Sequence, residues 1–246
     1  MDALWLAMAF LLIALIYASV GQAGASGYIA VMALFGFAPL AMKTTALALN
    51  LVVAAIGTAM FLKAGRLSWR SVWPYAILGF PFSLLGGAVQ LPAHVYYPAV
   101  GVILILSAVQ MARTALRRPG ASATVPTDPP FLAALATGAA IGFISGTTGT
   151  GGGVFLAPAI LAMNWGTARQ TATTTAVYNL MNSAAALLGA YRWWDEIPGA
   201  LSGWLIAVAA GGALGALIGS RYLPELWLRI ILAAILLASG VRLLFG

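Results

Sequence analysis

Six long windows without a charged side chain divide this sequence, and they constrain its fold more than any other feature. The windows cover residues 3–42, 44–62, 71–112, 129–168, 170–191 and 197–220. About 20 apolar residues in a helix cross a bilayer, so these windows have room for several crossings. A last span is predicted over residues 226–245, where Arg229 and Arg242 lie near the ends and can reach the membrane interface. The sequence therefore predicts an all-α polytopic membrane protein.

The composition excludes several classes of soluble protein. Hydrophobic residues make up 62% of the 246 residues and charged residues only 7%, against about 25% charged in an ordinary globular domain. A nucleic-acid partner is not expected, because the net charge of +7 fits loops that face an anionic leaflet. The absence of Cys and the single His exclude thiolate and multi-His metal sites. No Asp or Glu lies within an apolar window, so no catalytic residue is expected either, and no metal or cofactor is predicted.

Three blocks of residues recur in the same order in the two halves of the chain. They are Gly21, Gly24 and Gly27 with Gly146, Gly149 and Gly152; Thr44, Thr45 and Asn50 with Thr173, Thr174 and Asn179; and Gly79, Ser83 and Gly87 with Gly211, Gly215 and Gly219. The offsets are 125, 129 and 132 residues. A polar, Pro-rich segment between the halves has the composition of a linker. We predict one integrated membrane domain, with repeat 1 at residues 1–112, a cytoplasmic linker at residues 113–130 and repeat 2 at residues 131–246.

Each repeat begins with a charge-free window of 40 residues, twice the length of one crossing helix. In the second repeat, apolar arms at residues 131–144 and 154–163 flank a glycine-rich run at residues 145–153. Glycine costs about 1 kcal/mol per residue in a helix relative to alanine. The run is therefore predicted to be the non-helical tip of a re-entrant hairpin near the bilayer midplane. The alternative is one bent span followed by a helix at the membrane surface.

The distribution of positive charge bears on the topology. With two hairpins, each repeat has three full crossings, so the two repeats are inverted relative to each other. Nine of the 12 Lys and Arg then share the side of the linker, whereas eight do so if the repeats are parallel. Cytoplasmic loops carry an excess of Lys and Arg. The sequence therefore predicts six full spans and two hairpins with both termini in the periplasm, and eight plain spans are the alternative.

The polar residues inside the windows are glycines, hydroxyls and amides rather than carboxylates. Glycine-rich tips expose backbone N–H groups, and the helix that follows presents its positive end, a combination that binds anions. Gln22 lies in the first tip. The predicted substrate-binding residues are Gly24, Ser26, Thr44, Thr45, Asn50, Gly149, Thr150, Gly151, Gly152, Thr173, Thr174, Asn179 and Asn182. The alternative is that the glycines serve helix packing and the Thr and Asn side chains bond between helices.

Lys43 and Arg169 each precede a Thr-rich segment at a predicted helix start. As functional groups, they would attract an anion to the mouth of its pathway. The alternative is that they anchor the chain at the membrane interface.

The second glycine run resembles the hallmark of the TauE/SafE sulfite exporter family. The matching residues are the pattern Gly-x-x-Gly-x-Gly-Gly-Gly at residues 146–153, then Pro158 and Ala172-Thr173-Thr174, with residues 21–27, Pro39 and Thr44-Thr45 as first-repeat counterparts. The resemblance covers essentially the whole chain, although the first repeat lacks the triple glycine. It implies a permease of the bacterial inner membrane that moves sulfite, organosulfonates or other sulfur-containing anions.

Together, the residues and the resemblance predict a secondary transporter that exports small sulfur-containing anions. Its expected partners are a small anionic substrate and the lipid bilayer, and a homodimer is one arrangement that the sequence allows. The alternatives are a transporter of another small anion or a carboxylate, and a membrane assembly factor that transports nothing.

Overall fold

The computed structural model describes residues 2–19, 22–65, 68–116, 126–218 and 225–245. All regular structure in these ranges is helical, which confirms the predicted fold class. The elements are α1 (Asp2–Ser19), α2 (Ala25–Leu34), α3 (Pro39–Lys63), α4 (Trp69–Ala88), α5 (Ala93–Leu116), α6 (Phe131–Thr148), α7 (Gly153–Ala162), α8 (Ala168–Gly189), a 3₁₀ helix (Tyr191–Glu196), α9 (Leu201–Ile218) and α10 (Glu225–Phe245).

The two halves of the chain contain the same order of helix lengths. Helices α1 to α5 have 18, 10, 25, 20 and 24 residues, and helices α6 to α10 have 18, 10, 22, 18 and 21. The short helix always comes second, directly after a glycine-rich break. The inverted relation between the halves stays a prediction at this point.

Three of the described helices are long and apolar enough to cross a membrane. They are Pro39–Lys63, Ala93–Arg113 and Phe131–Thr148, with mean hydropathies of 2.0, 1.8 and 1.5. Shorter apolar stretches of 10–17 residues occur in α1, α2, α7, α9 and α10. A multi-pass membrane protein, as predicted, is consistent with this set of helices.

The predicted boundary of the second tip is wrong by four residues. Helix α6 continues past Ile144 to Thr148, so only residues 149–152 are non-helical. The reason is that the hydroxyls of Ser145, Thr147 and Thr148 donate to carbonyls three or four residues earlier in the same helix. These polar side chains are thereby satisfied within the helix.

Close glycine contacts join one half of the chain to the other. A Cβ at Gly138, Gly142 or Gly146 of α6 would lie 2.1–2.4 Å from a carbonyl oxygen of α4. The contacts advance by four residues along both helices, so α4 and α6 run parallel with their backbones in contact. Helix α9 packs on α1 in the same way, because a Cβ at Gly211 or Gly215 would lie 2.2 Å from a carbonyl oxygen of α1.

The predicted linker lies partly outside the described residues, as do Gly21 and Gly219. Helix α5 continues to Leu116, so the start of the linker is later than the predicted residue 113. At its other end, Thr127 N–H donates to the carbonyl of Asn164 after α7 (3.0 Å). This bond ties the end of the linker to the short helix of the second half.

Candidate anion-binding site

The two short helices both begin in the interior of the protein. The residue before α2 is Gly24, with φ at +96°, and the residue before α7 is Gly152. Ahead of Gly152, Gly149 and Gly151 also have positive φ, at +79° and +72°. Such left-handed backbone favours glycine, which explains why each break is glycine-rich.

A pair of asparagines joins the starts of these two helices. Asn50 and Asn179 each occupy the twelfth position of a long helix, α3 and α8. Asn50 Oδ1 accepts from Ala25 N–H at the start of α2 (3.0 Å), and Asn179 Oδ1 accepts from Gly153 N–H at the start of α7 (3.4 Å). The Asn50 amide donates to Asn179 Oδ1 (3.1 Å) and to Ser183 Oγ (2.8 Å). Both short helices therefore begin beside the middle of a long helix.

This geometry corrects the predicted alignment of the glycine motifs. Gly24 precedes α2 as Gly152 precedes α7, an offset of 128 residues, whereas the sequence paired Gly24 with Gly149. The predicted pairing was wrong because the glycines recur every three residues, so Gly24 meets a glycine at either alignment, Gly149 or Gly152. The offset of 129 between Asn50 and Asn179 agrees with the structural one to within one residue.

A cavity of about 470 Å³ lies where the two tips meet. Its polar lining residues are Ser19, Gln22, Asn50, Thr150, Thr175 and Asn179. Along α3 it runs from Asn50 past Val53 and Gly57 to Ala64, at the exposed end of that helix. Among the described residues, its lining contains no charged side chain.

Two side-chain amides in the cavity wall have N–H groups that donate to no described residue. Asn179 uses its oxygen in the bonds above, and its amide nitrogen has no hydrogen-bond partner among the described residues. The same holds for the side-chain amide of Gln22 in the described part of the chain. Thr150 has less to offer, because Thr148 gives its proton to Ile144 and Thr150 must then donate to Thr148 Oγ1 (2.9 Å). The free donors are thus the amides of Asn179 and Gln22.

The model of the family described as "Sulfite exporter TauE/SafE" matches residues 6–243. The chain belongs to the TauE/SafE family. A protein of Sinorhizobium fredii named "Probable membrane transporter protein y4hK" is 66% identical over 244 residues, which cover 99% of both chains. No solved structure matches the chain. This TauE/SafE protein is therefore a multi-pass membrane transporter rather than an enzyme.

Four of the predicted binding residues line the cavity of this TauE/SafE transporter. They are Gly24, Asn50, Thr150 and Asn179. Thr175 lines it too but was not predicted. It directly follows Thr173-Thr174, so the length of the threonine run was the available signal. Ser19 was also missed, and nothing in its local sequence distinguishes it from other serines in the apolar windows.

The three glycines of the second tip lie behind the cavity wall. A Cβ at Gly151 would lie 2.7 Å from Asn179 Oδ1 and 2.9 Å from the Asn50 amide nitrogen. A Cβ at Gly152 would lie 2.4 Å from the Tyr178 ring, and one at Gly149 would lie 2.8 Å from the Cα of Lys43. These glycines allow the second tip to pack closely on α3 and α8, and Gly151 is the one of the three that contacts the asparagine pair.

The other predicted binding residues are buried outside the described cavity lining. Ser26 bonds with the Tyr17 hydroxyl (3.0 Å), Thr44 donates to Leu40 of its own helix (2.8 Å), and Asn182 donates to Ser145. The remaining three, Thr45, Thr173 and Thr174, are buried as well. The sequence placed the threonines at helix starts, but α3 begins at Pro39 and α8 at Ala168. They therefore lie in the second turn of each helix, one turn away from the exposed N–H groups.

Lys43 is neither at the mouth of a pathway nor at an interface. Its side chain is 2% exposed, and its ammonium donates to the carbonyls of Gly86 (3.1 Å), Gly87 (2.8 Å) and Val89 (2.8 Å) at the end of α4. The final carbonyls of a helix have no partner within it and attract a cation. The position that the sequence predicted for Lys43 was therefore wrong under both interpretations. The side chain of Arg169 lies outside the described part of the structure.

Proposed function

We propose that this protein exports small sulfur-containing anions, such as sulfite or organosulfonates, across the bacterial inner membrane. The observation that carries the proposal is the cavity at which the N-termini of two short helices meet beside unpaired amide donors.

Two helix N-termini provide positive potential without a charged side chain. Each carries the equivalent of about half a positive charge on its first N–H groups. Although Asn50 and Asn179 accept one N–H from each short helix, the amides of Asn179 and Gln22 remain for an incoming oxyanion. A hydrogen bond to a charged group contributes about 1.5–3 kcal/mol. Uncharged donors bind an anion without trapping it, which suits a site that must also release it.

The choice of sulfur anions is supported by the family, whose described activity is sulfite export. The cavity itself favours anions over cations, because its described lining contains no carboxylate. Another small anion or a carboxylate is the closest alternative substrate. A membrane assembly factor is the alternative function, and it would have no need of a substrate-sized cavity.

Export is supported by the side to which the cavity leads. It reaches the C-terminal end of α3, where Lys63 is the last helical residue, and Arg70 follows at the start of α4. Positively charged loops mark the cytoplasmic side of a membrane protein. Export needs a path by which a cytoplasmic anion reaches the site, and this cavity provides one, whereas the direction of net transport rests on the family.

The inverted arrangement of the two halves belongs to the same proposal. It is supported by α5 and α10, which occupy equivalent places in the halves. Gly101 of α5 lies against Leu244 of α10, and four residues later Ile105 lies against Gly240. The two helices are therefore antiparallel, as inversion requires. A topology reporter fused after residue 246 should read periplasmic, and a cytoplasmic reading would refute the inversion.

Binding to the purified protein in detergent tests the proposed substrate. Sulfite, ethanesulfonate, propionate and chloride would each be titrated while the unfolding temperature is recorded. A ligand of the native state at 100 times its Kd stabilises by about 2.7 kcal/mol. Sulfite or ethanesulfonate should stabilise the protein at lower concentration than propionate and chloride. Stabilisation by propionate alone would favour a carboxylate transporter, and no stabilisation by any anion would refute the proposal.

A further inference from the structure

Lys43 lies on the side of the asparagine pair away from the cavity. The cavity extends from Asn50 toward the C-terminal end of α3, whereas Lys43 precedes Asn50 by seven residues, or about 10 Å along the helix. We call the side of the asparagine pair that faces the cavity the open side, and the side that contains Lys43 the closed side. On the closed side, the second tip lies against Lys43 at Gly149, and the Trp193 ring is 5.5 Å from the ammonium.

Within the described ranges of the chain, no opposite charge balances that of Lys43. Among the described residues, Lys43 is the one buried side chain with a formal charge. Its three hydrogen-bond partners are neutral carbonyls, and no carboxylate contacts it in the described part of the chain. The carbonyls accept the hydrogen bonds of the Lys43 ammonium. Among the described residues, the positive charge of this ammonium is offset only by the partial negative charge at the C-terminus of α4. An anion would be a stronger partner for the same group.

Most positions of the closed side have an equivalent on the open side, because the two halves repeat. Thr175 of α8 lines the open cavity. Its equivalent on α3, at the offset of 129 that relates Asn50 to Asn179, is Ala46, which is 0% exposed. Ala46 is one helical turn from Lys43 and would line the equivalent cavity if the closed side opened. The equivalent of Lys43 itself is Ala172, so the positive charge is found in one half only.

We infer that Lys43 is the anion-binding residue of the closed half of the pathway, occupied in this conformation by the carbonyls at the end of α4. When the end of α4 moves away, the ammonium exchanges these carbonyls for the anion that leaves the central cavity. The contact of Lys43 with α4 thus keeps the pathway closed until an anion replaces it. This inference rests on the proposed function and extends it to the second half of the transport path.

Single cysteines can report on each side, because the chain contains no Cys. Ala46→Cys places a thiol on the closed side, and Ala54→Cys places one in the lining of the open cavity. In reconstituted vesicles, a membrane-impermeant maleimide should label Ala54→Cys quickly and Ala46→Cys slowly. Adding Lys43→Met keeps the length of the side chain but removes the charge and the donors. It should raise the labelling rate of Ala46→Cys about tenfold without raising that of Ala54→Cys.

The binding and transport of ethanesulfonate separate a pathway role from a purely structural one. Lys43→Met should leave the Kd in detergent within about threefold of the unmodified protein, while the transport rate falls at least tenfold. Lys43→Arg, which keeps charge and donors, should restore part of that rate. An equal rise in labelling at both cysteines would mean that Lys43 only stabilises the fold. Unchanged transport and labelling in Lys43→Met would overturn the inference.

A further measurement leaves Lys43 in place, in case its variants do not fold. Ethanesulfonate added on the open side should speed the labelling of Ala46→Cys, because each transported anion opens the closed side. If ethanesulfonate is bound and transported but labelling stays slow, the inference about Lys43 fails by itself. If neither sulfite nor ethanesulfonate is bound or transported by the unmodified protein, the proposed function fails.

Discussion

Replacing Asn179 by aspartate probes the anion site with a change of one side-chain group. The carboxylate can keep accepting from Gly153 N–H and the Asn50 amide, as the Asn179 oxygen does now. Its second oxygen replaces the unpaired amide nitrogen in the cavity wall. The substitution thus replaces a hydrogen-bond donor to the anion by a negatively charged group. The carboxylate and an anion about 4 Å away repel by roughly 4 kcal/mol at an effective dielectric constant of 20.

The carboxyl group can avoid this repulsion by taking up a proton, which limits the effect. Protonating an ordinary aspartic acid at pH 7 costs about 4 kcal/mol, since the reference value of 3.9 lies about three pH units lower. Repulsion by the ionised carboxylate, or the cost of protonating it, therefore weakens anion binding by roughly 1000-fold at pH 7. If the carboxyl group is protonated, the loss of affinity becomes about tenfold smaller for each unit by which the pH is lowered. The affinity of the unmodified site, which has no titratable lining group among the described residues, should stay flat.

Isothermal titration with ethanesulfonate at pH 5, 6 and 7 measures these affinities, because a sulfonate stays ionised throughout. Gln170→Glu is the matched control, since it makes the same amide-to-carboxylate change on an exposed position of α8. A glutamate can also replace Gln170 in its capping box with Thr167. The control should bind like the unmodified protein. Equal affinity of Asn179→Asp and Gln170→Glu at pH 7 would refute an anion site at Asn179.

Three further substitutions test other parts of the account. Gln22→Leu removes the second amide donor of the cavity and should weaken ethanesulfonate binding about 10- to 100-fold in the same titration. Thr174→Val is the control, because it removes a buried hydroxyl outside the cavity, and it should change the affinity less than threefold. Gly151→Ala should weaken binding at least tenfold, because a methyl group at φ +72° would press on the asparagine pair; unchanged affinity would show that the pair is not needed. Gly142→Ala should destabilise by about 1–3 kcal/mol in thermal unfolding, because its Cβ would lie 2.4 Å from a carbonyl of α4. Gly203→Ala, whose Cβ would meet nothing within 4 Å, should not destabilise, and equal losses would refute the packing argument.

The pattern of charges and repeats was enough to predict the helical fold and the equivalence of Asn50 and Asn179, but not the hydrogen bond between them. Charge-free windows mark membrane helices because a charge in the bilayer is costly. This argument can be applied to each window separately, without knowledge of contacts between distant segments. Asn50 and Asn179 could be matched because each lies in a long helix whose position is fixed by the threonines before it. The tips could be expected to be irregular, since a run of glycines weakens any helix.

The details that were missed depend on contacts between distant segments. Helix α6 continues through Gly146 because its hydroxyls bond back along the helix and its glycines pack on α4. Lys43 is buried because the end of α4 supplies three carbonyls, and no pattern around residue 43 indicates that partner. Gln22, which is polar in a short break, was noticed but not selected. Only the structure shows that its side chain lines the cavity.

The most direct test of the central claim is anion flux through the purified protein in liposomes. Vesicles loaded with sulfite or ethanesulfonate would be diluted into anion-free buffer, and release would be followed over time. The account predicts saturable release of at least one of the two anions in vesicles with the unmodified protein. Vesicles with folded Asn179→Asp should release at least 100-fold more slowly at pH 7. Release no faster than from protein-free vesicles, by a protein that is folded and inserted, would contradict the account.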